Sequence, residues 1–137
     1  MTSSTTEPTT YAVAADADVV RVRQAVRDLA VQAKFSLVDQ TKLVTATSEL
    51  ARNTLVYGGG GEALVALLDK AGRPGIEIWF RDEGPGIPDL DLALTDGWTS
   101  GGGMGLGLSG AKRLVDEFEV DTAPDRGTRV RIVKWRR

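Results

Sequence analysis

Glu49 and Asn53 stand four residues apart in the run Thr47-Ser48-Glu49-Leu50-Ala51-Arg52-Asn53. On a helix that spacing puts a carboxylate and a carboxamide on one face. The carboxylate can accept a proton from an attacking hydroxyl or water. The carboxamide oxygen suits a hard cation such as Mg²⁺. The same pair also fits an ordinary polar helix edge, so the spacing alone leaves both readings open. A second constellation, Asp82-Glu83-Gly84-Pro85-Gly86, closes a strand-like run. A carboxylate there is an acceptor only and can take a hydrogen bond from an exocyclic amine such as N6 of adenine. Gly84 and Gly86 allow the backbone to approach a flat ring closely, although Asp and Gly also mark plain turns. The third is Ser100-Gly101-Gly102-Gly103-Met104-Gly105-Leu106-Gly107-Leu108. Backbone N–H groups where a glycine-rich segment opens a helix suit phosphates, and helix-internal glycines at 105 and 107 would each cost roughly 1 kcal/mol against alanine. The segment is not a Walker A loop, because the Gly-Lys-Ser/Thr ending is missing. The fourth is Gly127-Thr128, a hairpin turn whose threonine hydroxyl can also reach a base or a bridging water.

These residues need elements to hold them. Tyr11 to Ala15 reads as a strand, and Asp16 or Asp18 can cap a helix running to about Lys34. Val22, Ala25, Val26, Leu29 and Ala33 give that helix its apolar stripe. A second helix spans about Val38 to Tyr57, burying Leu43, Ala46, Thr47, Leu50, Thr54 and Tyr57, and Gly58–Gly61 stop it. Two strands follow, about Ala63–Asp69 and Ile76–Asp82, joined by a turn over Lys70–Gly75. Pro85 and Pro88 break the pattern, and a loop runs to about Gly103. A loop that long inside a compact domain is usually functional. A third helix carries Met104, Leu108, Ala111, Val115 and Phe118 at helical spacing, and a hairpin of Glu119–Ala123 and Thr128–Lys134 ends the chain. The order β-α-α-β-β-loop-α-β-β predicts an α+β, two-layer sandwich: a mixed, mostly antiparallel sheet with helices on one face. Residues 1–10 read as a disordered tail and 11–137 as one domain.

Composition narrows the chemistry. Among 137 residues there is no cysteine and no histidine, which removes disulfides, thiolate sites, His-based general bases and phosphohistidine relays. The net charge of −2 implies no basic face and argues against nucleic acid, the cluster Arg129, Arg131, Lys134, Arg136 and Arg137 reading as a solvated strand and tail. No apolar run reaches membrane-span length and no signal peptide is visible, so a cytoplasmic location without membrane contact is expected.

The four constellations, taken in order, resemble the N, G1, G2 and G3 boxes of the GHKL (Bergerat-fold) ATPases and kinases. Glu49-x-x-x-Asn53, Asp82-x-Gly84-x-Gly86, Gly103-Met104-Gly105-Leu106-Gly107 and Gly127-Thr128 match them, and the resemblance spans about Tyr11 to Trp135. Within that family the chain is similar to the single-domain anti-sigma-factor serine/threonine kinases, and among them to the RsbT-type switch kinases of the stressosome pathway. Lys112-Arg113-Leu114-Val115-Asp116-Glu117-Phe118 and Val133-Lys134-Trp135 add to this. The resemblance implies an ATP- and Mg²⁺-dependent kinase that phosphorylates a STAS-domain antagonist and, when released, activates a PP2C-type phosphatase. Glu49 would be the catalytic base or orienter and Asn53 the Mg²⁺ ligand. Asp82 would read adenine beside Gly84, Gly86 and Thr128, the loop to Gly103 would be the ATP lid, and Gly103, Met104, Gly105, Leu106 and Gly107 would approach the phosphates. Sigma-binding relatives often carry an arginine just before the glycine box. Here that stretch is Ser100-Gly101-Gly102, which favours the RsbT-type branch and leaves charge neutralisation to other groups, with Lys112 and Arg113 as candidates. A nucleotide-dependent module that binds a sigma factor with little turnover is the alternative. Apolar residues on an open sheet face leave room for a dimer or hetero-complex.

Overall fold

The computed structural model describes residues 4–5, 7–87 and 107–137. The elements are β1 (Ser4–Thr5), β2 (Thr9–Val13), α1 (Asp16–Gln32), α2 (Leu37–Val56), β3 (Gly61–Lys70), β4 (Arg73–Asp82), α3 (Gly107–Arg113), β5 (Glu117–Ala123) and β6 (Gly127–Trp135). The sheet runs β1-β3-β4-β6-β5, and β2 shares the outer side of β3 with β1. Every described pairing is antiparallel, so the parallel component allowed by a mixed sheet is absent among the described strands. The segment expected as a disordered tail differs too: Ser4–Thr5 pairs with Leu68–Asp69, and β2 begins at Thr9.

Strand alternation sorts the side chains. Val13, Ala63, Val65, Ile76, Ile78, Phe80, Val130 and Ile132 face the helices and join Val22, Val26, Ala30, Leu43, Ala46 and Leu50 in one core. Burying each large apolar side chain stabilises the fold by roughly 1.5–3 kcal/mol. Thr47 and Thr54 sit within this stripe because their hydroxyls donate to the carbonyls of Leu43 (2.8 Å) and Leu50 (3.0 Å), one turn back. The opposite face holds a smaller cluster of Leu68, Val133 and Trp135. The indole of Trp135 lies over Gly75, where a Cβ would come within 2.5 Å of the ring. Beside it, Arg131 gathers Glu77 (2.6 Å), Glu119 (2.6 Å) and Glu117 (3.2 Å). Burial works against the Arg131 charge, and the three carboxylates together outweigh it and raise its pKa above the ordinary arginine value.

The helix ends explain two boundaries. Ser36 caps α2 by accepting from the Asp39 N–H (3.1 Å). At α1 the N-cap is Ala15, not an aspartate. Asp18 reaches back from the first turn and accepts from the N–H groups of Ala14 (2.9 Å) and Ala15 (3.1 Å). Two expectations shift in register. The β3–β4 turn tightens to Ala71–Gly72, with Asp69 Oδ1 accepting from Gly72 N–H at 2.7 Å. The third helix ends at Arg113, and Phe118, expected on that helix, lies in β5 opposite Ile132. Leu108, Ala111, Val115 and Phe118 satisfy a helical period, but Phe118 and Val120 also satisfy strand alternation. Pairing with β6 decides between them.

Lys134 of β6 faces the helices and meets Asp39 of α2 at 3.6 Å, both nearly inaccessible at 2% and 7% exposure. Removing one partner of a buried pair strands the other charge. Lys134→Met should therefore cost about 3 kcal/mol in urea unfolding, and Lys134→Met with Asp39→Leu should recover most of it. The Asp18 carboxyl is held below its ordinary pKa first by the Ala14 N–H and then by Arg21. Its contribution is present above the unfolded pKa of 3.8 and fades as pH falls through the lowered folded value. Asp18→Asn should lower the melting temperature at neutral pH, and thermal melts at about pH 2 should no longer separate it from the wild type.

Candidate functional site

The end of α2 brings its chain against the end of β4. The N–H groups of Tyr57 (3.0 Å) and Gly58 (3.1 Å) both donate to the Asn53 carbonyl, turning the backbone out of the helix. Gly58 then lies on Asp82. A Cβ on Gly58 would stand 2.5 Å from Asp82 Oδ2, and a Cβ on Gly84 would stand 2.7 Å from the Gly58 carbonyl oxygen. Only glycine fits either position without displacing the carboxylate or the turn.

Asp82 itself is half-buried and fixed. Its Oδ1 accepts from the N–H groups of Gly84 (2.9 Å) and Thr128 (3.2 Å). One oxygen is thus engaged by two backbone donors, and the carboxylate remains an acceptor toward an amine such as that of adenine. Thr128 is the register partner of Asp82. The turn after β4 leans on the β5–β6 turn: the Asp125 N–H donates to the Pro85 carbonyl (2.9 Å), the Ile87 N–H donates to Thr122 Oγ1 (2.9 Å), and Gly86 backs onto the Ala123 carbonyl. A groove of about 960 Å³ passes this corner, lined among others by Gly58, Asp82, Thr122, Arg126 and Thr128. Its volume lies in the range of small-molecule and cofactor sites.

Glu49 is half-buried one turn before Asn53 on α2. The Gly107 N–H donates to Glu49 Oε1 at 3.3 Å, which joins the end of the glycine box to the helix carrying Glu49 and Asn53. Gly107 is not helix-internal, as its spacing suggested. It is the first residue of α3 with φ of 64°, a conformation that favours glycine. Gly103, Met104, Gly105 and Leu106, expected at the phosphates, lie outside the described residues, as does Ser100–Gly102. Lys112 and Arg113 are exposed in the last turn of α3, the end away from Gly107.

This arrangement has known counterparts. The family model of histidine kinase-, DNA gyrase B- and HSP90-like ATPases matches residues 38–137. The chain belongs to this family. It is 42% identical over 120 residues to the serine/threonine-protein kinase RsbT of Bacillus subtilis, a match covering 88% of this chain and 90% of the relative. It is 32% identical over 117 residues to the anti-sigma F factor of Oceanobacillus iheyensis, covering 82% and 80% of the two chains. A crystal structure of the RsbU and RsbW domains of a Mycobacterium tuberculosis protein superposes with a TM-score of 0.61 at 19% identity, over 96% of this chain and 33% of the other. That likeness is one of fold. It reaches beyond residues 38–137, so α1 and β2 belong to the shared architecture.

Sequence reasoning missed two residues here. In sequence Gly58 reads as part of a helix stop, although its contact with Asp82 is the tighter constraint. Thr122 carried no signal, since one threonine in a strand looks like any other. Gly58→Ala should lower the melting temperature and weaken ATP binding roughly tenfold or more, because the displaced Asp82 loses both its backbone donors and its aim. Fluorescent-nucleotide titration beside thermal melts would separate the two effects.

Proposed function

We propose that this protein is an ATP-dependent protein serine/threonine kinase working as a partner switch in stress and sigma-factor signalling. The observation carrying the reading is the placement of two carboxylates with different surroundings. Asp82 is fixed by backbone donors at the end of the sheet. Glu49 stands at the start of the glycine-box helix with Asn53 one turn on. The first suits a base and the second a reacting hydroxyl.

ATP would supply the transferred phosphoryl group, and Mg²⁺, when bound, would neutralise charge on it. The residues fit both: the Asp82 corner offers a fixed acceptor in a groove, and the Asn53 side chain offers a neutral oxygen suited to a hard cation. Glu49 accepts the proton of the substrate hydroxyl, or orients it, as that oxygen bonds to the γ-phosphorus and the bond to the departing ADP breaks. Gly103, Met104, Gly105, Leu106 and Gly107 are assigned to the phosphates. Lys112 and Arg113 lie at the far end of α3 and are given no part in the transfer in this reading. The substrate is a STAS-domain antagonist, and the partner activated on release is a PP2C-type phosphatase. Among the described residues no helix is long and apolar enough to cross a membrane, and a cytoplasmic site of action is assigned.

A second reading, a nucleotide-dependent module that binds a sigma factor with little turnover, is favoured by the likeness to an anti-sigma F factor. One experiment separates them. Labelled ATP with Mg²⁺ is offered with STAS-domain proteins from the same genome, using wild type and Glu49→Ala. We expect label on one STAS protein, lost by at least about a hundredfold in Glu49→Ala while ATP binding persists. Clear ATP binding with no label on any of them would move the assignment to the sigma-binding module.

A further inference from the structure

We infer that Arg52 is a further catalytic residue of the transfer: its guanidinium holds oxygens of the γ-phosphate while the acceptor hydroxyl attacks. The inference rests on the kinase reading above and supplies a cation which that reading lacks.

The need comes from charge. A phosphoryl group in transfer spreads negative charge over its outer oxygens, and an arginine placed against them accelerates the step. The glycine box and the loop before it hold no such group. Residues 82–111 contain no lysine or arginine and carry Asp82, Glu83, Asp89, Asp91 and Asp96. The basic residues that follow them, Lys112 and Arg113, lie in the last turn of α3, away from Gly107. Arg126 stands in the β5–β6 turn, on the Asp82 side of the groove. Arg81, Arg129 and Arg131 are held by carboxylates along the strands. Arg52 is the basic residue on the last two turns of α2, three residues after Glu49 and next to Asn53.

Its position on the helix suits the task. At 3.6 residues per turn Arg52 stands about 60° round α2 from Glu49. Glu49 and Asn53 are half-buried, whereas Arg52 is exposed, so it flanks them on the solvent side. An arginine three residues after a glutamate is placed to form an ion pair with it. That pair is not made here. Glu49 instead accepts from the Gly107 N–H at 3.3 Å, and among the described residues Arg52 has no ion pair. The carboxylate therefore keeps its basicity and the guanidinium stays available. A long apolar stem lets that group reach across the rim of the site, and its planar fork offers paired N–H donors that match phosphate oxygens.

Glu49 and Arg52 then divide the step. The acceptor oxygen bonds to the γ-phosphorus, the bond from that phosphorus to the bridging oxygen of ADP breaks, and the hydroxyl proton passes to Glu49. Arg52 donates N–H groups to the γ-phosphate oxygens throughout and exchanges no proton. Because it touches the γ-phosphate alone, it contributes to binding of ATP and not of ADP.

The test compares wild type, Arg52→Ala and Arg52→Lys in the full chain. ATP and ADP binding, thermal melting, and transfer from labelled ATP with Mg²⁺ to the STAS-domain proteins are measured. In Arg52→Ala we expect unchanged ADP binding and melting, ATP binding weakened about tenfold, and kcat lowered by about a hundredfold or more with KM for the acceptor protein unchanged. Arg52→Lys should recover ATP binding more than transfer, since an ammonium keeps the charge but not the fork. Millimolar guanidinium ion should raise transfer by Arg52→Ala and leave the wild type as it was. Equal loss of ATP and ADP affinity, or no loss of either, would overturn the inference. A raised KM for the acceptor protein with kcat unchanged would also overturn it, in favour of docking. No label from the wild type on any STAS protein would remove the kinase reading itself, and the comparison of ATP with ADP, which needs no acceptor, would still decide the γ-phosphate contact.

Discussion

Asp82 is the constraint on which the rest of the site depends. Its side chain takes backbone N–H groups from its own turn and from the start of β6, so it ties two sheet ends together at one oxygen. That tie works only if three backbone segments come close: the chain after α2, the turn after β4 and the turn before β6. A side chain on Gly58 or Gly84 would push them apart. A charged group accepting hydrogen bonds in a half-buried place contributes more than a neutral one would, and losing its partners costs the full desolvation of the carboxylate. The same atoms that position the acceptor therefore also hold the corner of the fold.

α2 carries this constraint across the molecule. Its first turn is anchored by the Ser36 cap and the buried Asp39–Lys134 pair. Its middle is packed through Leu43, Ala46 and Leu50. Its last two turns deliver Glu49 and Asn53 and, beyond them, Gly58. The helix is 20 residues long, about 30 Å at 1.5 Å per residue, so one rigid element links the far end of β6 to the Asp82 corner.

The two faces of the sheet serve different purposes. The helix-facing side is a continuous core that ends in the row Asp82, Thr128 and Thr122. The other side is not a bare apolar surface. Arg131 draws three glutamates over it, and Trp135 folds onto Gly75 to cover Leu68 and Val133. The apolar residues that alternation places on this face are thereby largely covered by their own neighbours.

Much of this was legible in residue order alone. Helical and strand periods locate α1, α2, β3, β4 and the final hairpin, because those patterns repeat over many residues and local propensity agrees with burial. The glycine and acidic boxes single out Glu49, Asn53, Asp82, Gly84, Gly86, Gly107 and Thr128 as candidates, and the fold brings Asp82, Gly84 and Thr128 to one corner and Gly107 to Glu49. Three things waited for the tertiary structure. Phe118 fits both periods, and only pairing with β6 makes it a strand residue. Gly107 has a positive φ at the point where its N–H meets Glu49, a meeting that residue order does not announce. Gly58 and Thr122 have no signature of their own: one matters through a backbone contact with Asp82, 24 positions away in the numbering, and the other through the register that sets it beside Thr128. Periodicity reports which way a side chain faces. Which atoms meet across the ends of separate elements depends on how close the chains approach, and that is decided by packing.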